Sequence, residues 1–408
     1  MSRFFDRLGS AVFLFVVGVI SIFAVWGTAR AETYSVLHTF AGYPTDGAWP
    51  WGGLVSDGSG NLYGATEVGG AGSCPYYGCG TVFKLAPDGT ETILHSFAGG
   101  QADGAYPYGS LILDKAGNLY GTTSQGGNQT CFGNTGGCGT IFKIAPNGTE
   151  TVLYFFKGGS DGGEPVATLA ADDAGNFYGT TLVGGGTGCH KGWGCGTVFK
   201  LAPGGTETVL YAFTDRRLGS EPWGGVILDL KGTLYGTTAK GGHHNMGIVF
   251  RLSPAGKTKI LHEFTGASDG GEPQTNLVVD QGGDVFGTTE GGGANGSGTL
   301  FEIAPDGTET ELYSFPSGQQ DSYPIGGLTV DKRNNFLGTT ENNYGAVYEI
   351  GPSGQETVLH TFANGQEGWG AWGRLIIGKN GRLYGTTAVG GSGNCDNVGC
   401  GVVYSLSK

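Results

Sequence analysis

Eight cysteines fall into four local pairs, and their spacing restricts the chemistry that they can perform. The gaps of four to six residues fit poorly with a structural zinc site or with the Cys-x-x-Cys sequence of a redox centre. In an exported chain, an even number of locally paired cysteines indicates disulfides. We therefore predict four small disulfide loops, each contributing about 2–3 kcal/mol, with zinc binding and redox chemistry as alternatives. The pairs are Cys74/Cys79, Cys131/Cys138, Cys189/Cys195 and Cys395/Cys400.

Aromatic side chains are concentrated in segments rich in glycine and proline. Exposed Trp and Tyr rings combine a flat apolar face with a polar group, which suits stacking on sugar rings or contact with a protein. The alternative is that each ring packs over a seam between structural units. We predict a ligand-binding surface that consists of Trp49, Trp51, Tyr76, Tyr77, Tyr106, Tyr108, Trp193, Trp223, Trp369 and Trp372.

Acidic residues and histidines recur in the chain at regular places. A ring of carboxylates could bind Ca²⁺, but an aspartate before glycine more often caps its own turn, and we predict no metal or other cofactor. No nucleophile motif, HExxH sequence or phosphate loop is present, so we predict no catalytic residues. Histidines at one repeated position are typical of a structural role. The acidic positions are Asp46, Asp103, Asp161, Asp269, Asp321 and Glu367, and the repeated histidines are His38, His95, His262 and His360.

A tandem repeat positions all of these residues. Each unit contains four short runs rich in β-branched and aromatic residues, separated by turn sequences such as KAGN and PNGT. Four strands in each unit of about 50 residues predict a β-propeller blade, whereas a β-solenoid needs shorter units and tandem sandwiches need longer ones. The motif YGTT, or a close variant, begins at Tyr63, Tyr120, Tyr178, Tyr235, Phe286, Leu337 and Tyr384.

The first and last repeats predict how the ring closes. The seventh copy stops after its third strand, GVVYSLSK, and the missing fourth-strand sequence is ETYSVLHTF at residues 32–40. We predict an all-β, seven-bladed β-propeller of four-stranded antiparallel blades, in which residues 34–40 complete the last blade and remove an open edge. The predicted domain covers residues 32–408, with blades beginning near residues 51, 108, 166, 223, 274, 325 and 372.

The repeat resembles the GloVer, or choice-of-anchor, family of bacterial tandem-repeat proteins. The resemblance rests on sequences such as NLYGTT at residues 118–123 and GTVFKLAPDGTETILHSF at residues 80–97, and it covers residues 34–408. It implies an exported, propeller-like repeat protein. It brings no catalytic residues to this chain.

The first 31 residues differ in kind from the repeats. Arginines precede an apolar run from about residue 11 to residue 26, and Ala29-Arg30-Ala31 follows, which is the order of a secretory signal peptide. We predict cleavage after Ala31, a secreted or periplasmic location and no membrane span after cleavage; a retained membrane anchor is the alternative. The chain carries a net charge of −13 and the leader has three arginines against one aspartate, so the remainder carries −15. This acidity disfavours nucleic acid and anionic membranes as partners.

These observations predict a monomeric binding module for a neutral polysaccharide, held on the Trp- and Tyr-rich face at the channel mouth. One alternative is a lyase or hydrolase that acts on a polysaccharide or lactone through channel-mouth carboxylates such as Asp46 or Glu221. Another is a cell-envelope scaffold that binds a partner protein.

Overall fold

Short apolar strands and glycine-rich turns alternate through the repeats and form seven antiparallel blades. The computed structural model describes residues 33–75, 77–127, 131, 136–189, 192–363 and 365–408. The predicted signal peptide and Tyr76 lie outside the described residues. Apart from a 3₁₀ turn at Arg216–Leu218, the described ranges contain strands and loops, and no helix in them is long and apolar enough to cross a membrane. The predicted fold class, a seven-bladed β-propeller, is confirmed.

Blades one to six each consist of four strands in chain order, and blade seven contributes the first three of its own. The first strands are Val55–Ser56, Ile112–Leu113, Ala170–Ala171, Val226–Leu228, Val278–Val279, Thr329–Val330 and Ile376–Ile377. The second are Leu62–Thr66, Leu119–Gly126, Phe177–Thr181, Leu234–Thr238, Val285–Thr289, Phe336–Thr339 and Leu383–Thr387. The third are Thr81–Leu85, Thr140–Ile144, Thr197–Leu201, Ile248–Leu252, Thr299–Ile303, Ala346–Ile350 and Val402–Ser407. The fourth strands of blades one to six are Glu91–Ser96, Glu150–Phe155, Glu207–Ala212, Thr258–Glu263, Glu309–Ser314 and Glu356–Thr361.

The N-terminal strand closes the ring. Thr33–Thr39 pairs antiparallel with Val402–Ser407 and supplies the fourth strand of blade seven, as predicted. Two smaller elements lie in the links between blades: Gly47–Ala48 pairs with Val68–Gly69, and Gly104–Pro107 extends the sheet of blade two. Pairing with the N-terminal strand gives blade seven four strands, as in the other blades, and covers its open edge.

Pairs of aromatic rings join neighbouring blades at every seam. The phenylalanine that follows each fourth strand is at most 1% exposed and meets a buried ring from the third strand of the next blade. The ring centroids are 5.0–5.4 Å apart and the ring planes are inclined at 60–73°, the edge-to-face geometry that aromatic quadrupoles favour. The pairs are Phe40–Phe83, Phe97–Phe142, Phe156–Phe199, Phe213–Phe250, Phe264–Phe301, Phe315–Tyr348 and Phe362–Tyr404.

The glycine of the YGTT motif makes room for these rings. A Cβ atom at Gly64 would lie 2.6 Å from Cζ of Phe83, and a Cβ at Gly121 would lie 2.7 Å from Cζ of Phe142. The motif therefore repeats because each blade has to accommodate the ring of its own third strand. A larger residue at this place would displace the ring from the seam.

A polar contact crosses the seams at the outer strands. At most seams it joins a His or Tyr of one blade, a carboxylate in the loop that follows, and a glutamate at the start of the next blade's fourth strand; the fourth strand of blade four begins with Thr258 instead. Between blades two and three, the Tyr154 hydroxyl donates to Asp161 at 2.7 Å. Between blades five and six, the Tyr313 hydroxyl donates to Glu356 at 2.5 Å. Burial raises the pKa of Glu356 to about 7, although this hydrogen bond opposes the rise.

Replacing Phe40 by Ala should lower the free energy of unfolding by about 3–5 kcal/mol. Phe213→Ala should cost a similar amount, because the closing seam has the same ring geometry as the internal seam. Urea denaturation of both variants tests this expectation, with Leu230→Ala, at a position 97% exposed, as the control. A much smaller loss for Phe40→Ala than for Phe213→Ala would contradict closure by the N-terminal strand.

Replacing Glu356 by Gln should raise thermal stability at pH 8 and change it little at pH 5. The pKa of Glu356 is about 7 in the folded protein against 4.5 for an unperturbed glutamate, so this residue's contribution to stability is lost as the pH rises from 4.5 through 7. Glutamine still accepts the Tyr313 hydrogen bond and has no charge to bury. Melting curves between pH 5 and pH 8 should show a gain of about 1–3 °C at the alkaline end only. An equal gain at every pH would rule out titration of Glu356 as the cause.

Candidate functional site

The links that enter the blades share an uncommon backbone turn. One residue in each of the seven links has a φ between +56° and +71°, and in six of them that residue is not glycine and precedes a proline. Such a conformation costs energy for a residue with a side chain, so its repetition marks a turn that the ring geometry imposes. The residues are Trp49, Tyr106, Glu164, Glu221, Glu272, Tyr323 and Gly370.

This turn places the second residue after it on the wall of a cavity at the centre of the ring. The cavity has a volume of about 300 Å³. Its first circle of side chains comes from one equivalent position in all seven blades: Trp51, Tyr108, Val166, Trp223, Gln274, Ile325 and Trp372. Two residues further along the links, a second circle adds Gly53, Ser110, Thr168, Asn276, Gly327 and Arg374.

Four of the predicted ligand-binding residues form a continuous aromatic arc on this wall. Trp51 stacks on Tyr108 with centroids 5.5 Å apart and planes 11° apart, and it meets Trp372 edge-on at 5.3 Å. Tyr108 in turn lies 6.2 Å from Trp223. The indole Nε1 of Trp51 donates to Glu67 Oε2 at 2.6 Å, so Trp51 is held from three sides. Trp372 and Trp223 are the two ends of the arc.

The opposite part of the cavity is polar. On its wall, Gln274 donates from Nε2 to Glu290. Lys240 and Glu272, which are outside the lining, form an ion pair with Nζ 2.5 Å from Oε1. Burial and then the charge of Glu272 raise the pKa of Glu290, while Lys240 opposes the rise. Burial and then Glu290 raise the pKa of Glu341. These carboxyl groups therefore hold protons more readily than solvated glutamates do.

Sequence reasoning did not select the glutamates of this region. Glu67, Glu290 and Glu341 occupy one repeat position, directly after the YGTT motif or its variant. The other four blades have Ser, Leu, Ala and Ala there. A comparison of the seven units position by position would have found this variation. Arg374 could have been found in the same way, because the equivalent residues in the other blades are uncharged.

Three further predicted residues lie in a second cleft of about 830 Å³, beside the disulfide loop of blade one. Trp49 lies 6.5 Å from Tyr77. The Tyr77 hydroxyl donates to Asp396 Oδ1 at 2.6 Å, and the Tyr106 hydroxyl donates to the Pro75 carbonyl at 2.7 Å. Asp396 belongs to the cysteine loop of blade seven, so the loops of blades seven and one are in contact.

The remaining aromatic residues predicted to bind a ligand lie apart from these two cavities. Trp369 lines a third groove of about 590 Å³ with Tyr344, whose ring is 6.2 Å away. Trp193 is 44% exposed on its own cysteine loop and lines none of these three cavities. The nine predicted residues that the structure describes therefore do not form one continuous surface.

The predicted disulfides are formed, and the link aspartates cap their loops. The bridges are Cys74–Cys79, Cys131–Cys138, Cys189–Cys195 and Cys395–Cys400. Asp46 accepts backbone N–H groups of Ala41 and Gly47 at 2.7 and 2.6 Å. Asp46 lies beside His38 at an outer seam, whereas Glu221 occupies the left-handed position of a link.

The closed ring and its variable channel mouth define a β-propeller constructed from tandem repeats. The chain belongs to the Gloeobacter/Verrucomicrobia repeat family, whose model matches residues 22–193 and 186–404. This match confirms the resemblance drawn from the repeat motifs.

Solved structures that superpose on this chain are distant in sequence. The extracellular domain of a proposed one-component system of B. thetaiotaomicron superposes with a TM-score of 0.55 at 13% identity, over 91% of this chain and 40% of that one. The extracellular domain of a hybrid two-component system of the same organism gives 0.53 at 12% identity, over 91% and 39%. A proposed gluconolactonase gives 0.46 at 12%, over 93% and 92%. This chain thus spans about two fifths of the first two proteins. No curated protein matches the sequence significantly.

Replacing Cys74 and Cys79 together by Ala should lower the free energy of unfolding by about 2 kcal/mol, because the bridge closes a loop of only a few residues. The Tyr106–Pro75 hydrogen bond should weaken as the loop loosens. Urea denaturation measures the effect, with the double variant Cys395→Ala/Cys400→Ala as the matched case of equal loop length. Loss of cooperative folding in either variant would show that the bridges hold more than their own loops.

Proposed function

We propose that the protein is an exported binding module that holds a neutral polysaccharide at the mouth of its central channel. The observation that supports this most directly is the arc of Trp372, Trp51, Tyr108 and Trp223 around the 300 Å³ cavity. Flat rings at the two ends of the arc provide apolar faces for the C–H surfaces of sugar rings. The cavity is concave and mostly apolar, with a few polar groups, as small-molecule sites usually are.

The polar part of the cavity suits the hydroxyl groups of a sugar. Asn276 and Arg374 supply N–H donors, and Glu290 supplies acceptor oxygens. The lining holds one carboxyl group, Glu290, and one guanidinium, Arg374. The chain as a whole carries a net charge of −13, which disfavours a ligand rich in carboxylate or sulfate groups. A neutral chain that alternates apolar faces and hydroxyl edges matches the aromatic arc and the polar part of the cavity.

An exported location agrees with the four disulfides, which persist in oxidising compartments. The compartment, secreted or periplasmic, follows from the leader of residues 1–31 and is part of the proposal. The monomeric state of the protein is also part of the proposal.

A glycan array followed by calorimetry with the best ligand tests the proposal. Trp372→Ala and Trp223→Ala should each weaken binding by about 30-fold, the loss expected for an aromatic anchor worth 2 kcal/mol. We choose these two residues for substitution and not Trp51, because Trp51 has contacts on three sides and its removal would also disturb the wall of the cavity. Trp369→Ala, in a separate groove, is the matched control and should bind normally.

Unchanged affinity in both arc variants would sink the proposal. Absence of any glycan ligand would favour a protein-binding scaffold. Release of new reducing ends from a bound glycan, lost in Glu290→Gln, would instead favour a hydrolase that uses the channel-mouth carboxyls.

A further inference from the structure

Two outer seams bring a histidine and two carboxylates together without direct hydrogen bonds. Between blades seven and one, His38 Nε2 lies 3.7 Å from Asp46 Oδ2 and 3.5 Å from Glu91 Oε2. These separations exceed the 2.7–3.2 Å of an N–H···O hydrogen bond. Both His38 Nε2 and Glu91 Oε1 are buried and lack a hydrogen-bond partner in the described part of the chain. Buried polar atoms without partners are rare and call for an explanation.

The next seam repeats this arrangement. His95 Nε2 lies 3.5 Å from Asp103 Oδ2 and 3.8 Å from Glu150 Oε2, and His95 Nε2 and Glu150 Oε1 are again buried and without partners in the described ranges. In each seam one atom of every member lies within 4.8 Å of the others. The same open geometry therefore occurs twice, in seams of different local sequence.

Other seams of the ring show what a closed contact looks like at this position. The Tyr154 and Tyr313 hydroxyls make direct hydrogen bonds of 2.7 and 2.5 Å to the seam carboxylates. His262 Nε2 lies 3.2 Å from Asp269 Oδ2, within hydrogen-bond reach. The fold therefore allows the contact to close, but it stays open in the seams that begin with His38 and His95. His360 Nε2 also lacks a partner in the described part of the chain and lies 3.5 Å from Glu367, but only the His38 and His95 seams bring a histidine and two carboxylates within 4.8 Å of one another there.

We propose that each of these two seams binds one Zn²⁺ ion through His38, Asp46 and Glu91, and through His95, Asp103 and Glu150. Ligand atoms about 2.0–2.2 Å from a tetrahedral zinc ion lie about 3.3–3.6 Å from one another, close to the four separations of 3.5–3.8 Å. A neutral imidazole with two carboxylates suits zinc better than calcium, which takes six to eight oxygen ligands. Solvent would supply the fourth ligand.

Charge supports the same assignment. Each seam holds two carboxylates, and neither seam has a Lys or Arg ion pair among the described residues. A divalent cation neutralises the two negative charges at a site where burial makes their repulsion costly. Because each ion would take ligands from adjacent blades, it would cross-link blade seven to blade one and blade one to blade two.

Titration of the chelator-treated protein with Zn²⁺ in a calorimeter tests the proposal, and we expect two sites per chain. With Co²⁺ as the probe, visible absorption should show low-coordinate cobalt at the same stoichiometry. His38→Tyr should remove one site and the double variant His38→Tyr/His95→Tyr should remove both. Tyrosine is chosen because it occupies the equivalent position in three other seams, as Tyr154, Tyr211 and Tyr313, so the variants should melt like the parent without metal.

Two further variants make the test specific. His262→Tyr should leave the stoichiometry at two, and Tyr154→His, which creates a third set with Asp161 and Glu207, should raise it to three. Absence of Zn²⁺ binding, or two sites persisting in the double variant, would overturn the proposal. Binding that responds instead to His243→Ala/His244→Ala would assign the metal to that exposed histidine pair.

Discussion

The edge-to-face ring pair at each seam is the contact on which the rest of the molecule depends. It fixes the distance between blades, because a buried Phe of one blade has to meet the third strand of the next at about 5 Å. It explains the motif glycine, since Gly64 and its equivalents lie against that third-strand ring. It also explains why the N-terminal strand is needed: Phe40 arrives on that strand and completes the seventh pair.

A ring held together at its seams leaves the channel mouth free to vary. The seven equivalent wall positions hold three Trp, one Tyr, two aliphatic residues and one Gln, although the turn that places them has the same sign of φ in every blade. The strained backbone conformation of that turn persists because the surrounding structure holds the links in place. Uniform packing at the seams and variable side chains on a uniform turn are therefore two consequences of one architecture.

The fold could be predicted from the sequence because seven copies repeat the same strand and turn chemistry. The candidate site could be predicted only in part. The sequence placed Trp51, Trp369 and Trp193 in similar glycine-rich segments, but it could not show their distance from the axis. Trp51 lies on the wall of the channel mouth, Trp369 lines a separate groove, and Trp193 stands on a disulfide loop. Radial position depends on the three-dimensional course of each link, which insertions change.

The outer seams show a second limit of sequence reasoning. The repeated positions of His38 and His95 predicted a structural role, and their contacts do join blades. Their partners could not be predicted, because Glu91 reaches His38 from a different blade, more than 50 residues away in the chain. A tyrosine hydroxyl extends further than an imidazole nitrogen, and Tyr154 closes the contact by itself, whereas His38 and His95 leave a gap between like charges. At these two seams the residue type thus changes a direct hydrogen bond into a space bounded by nitrogen and oxygen ligands.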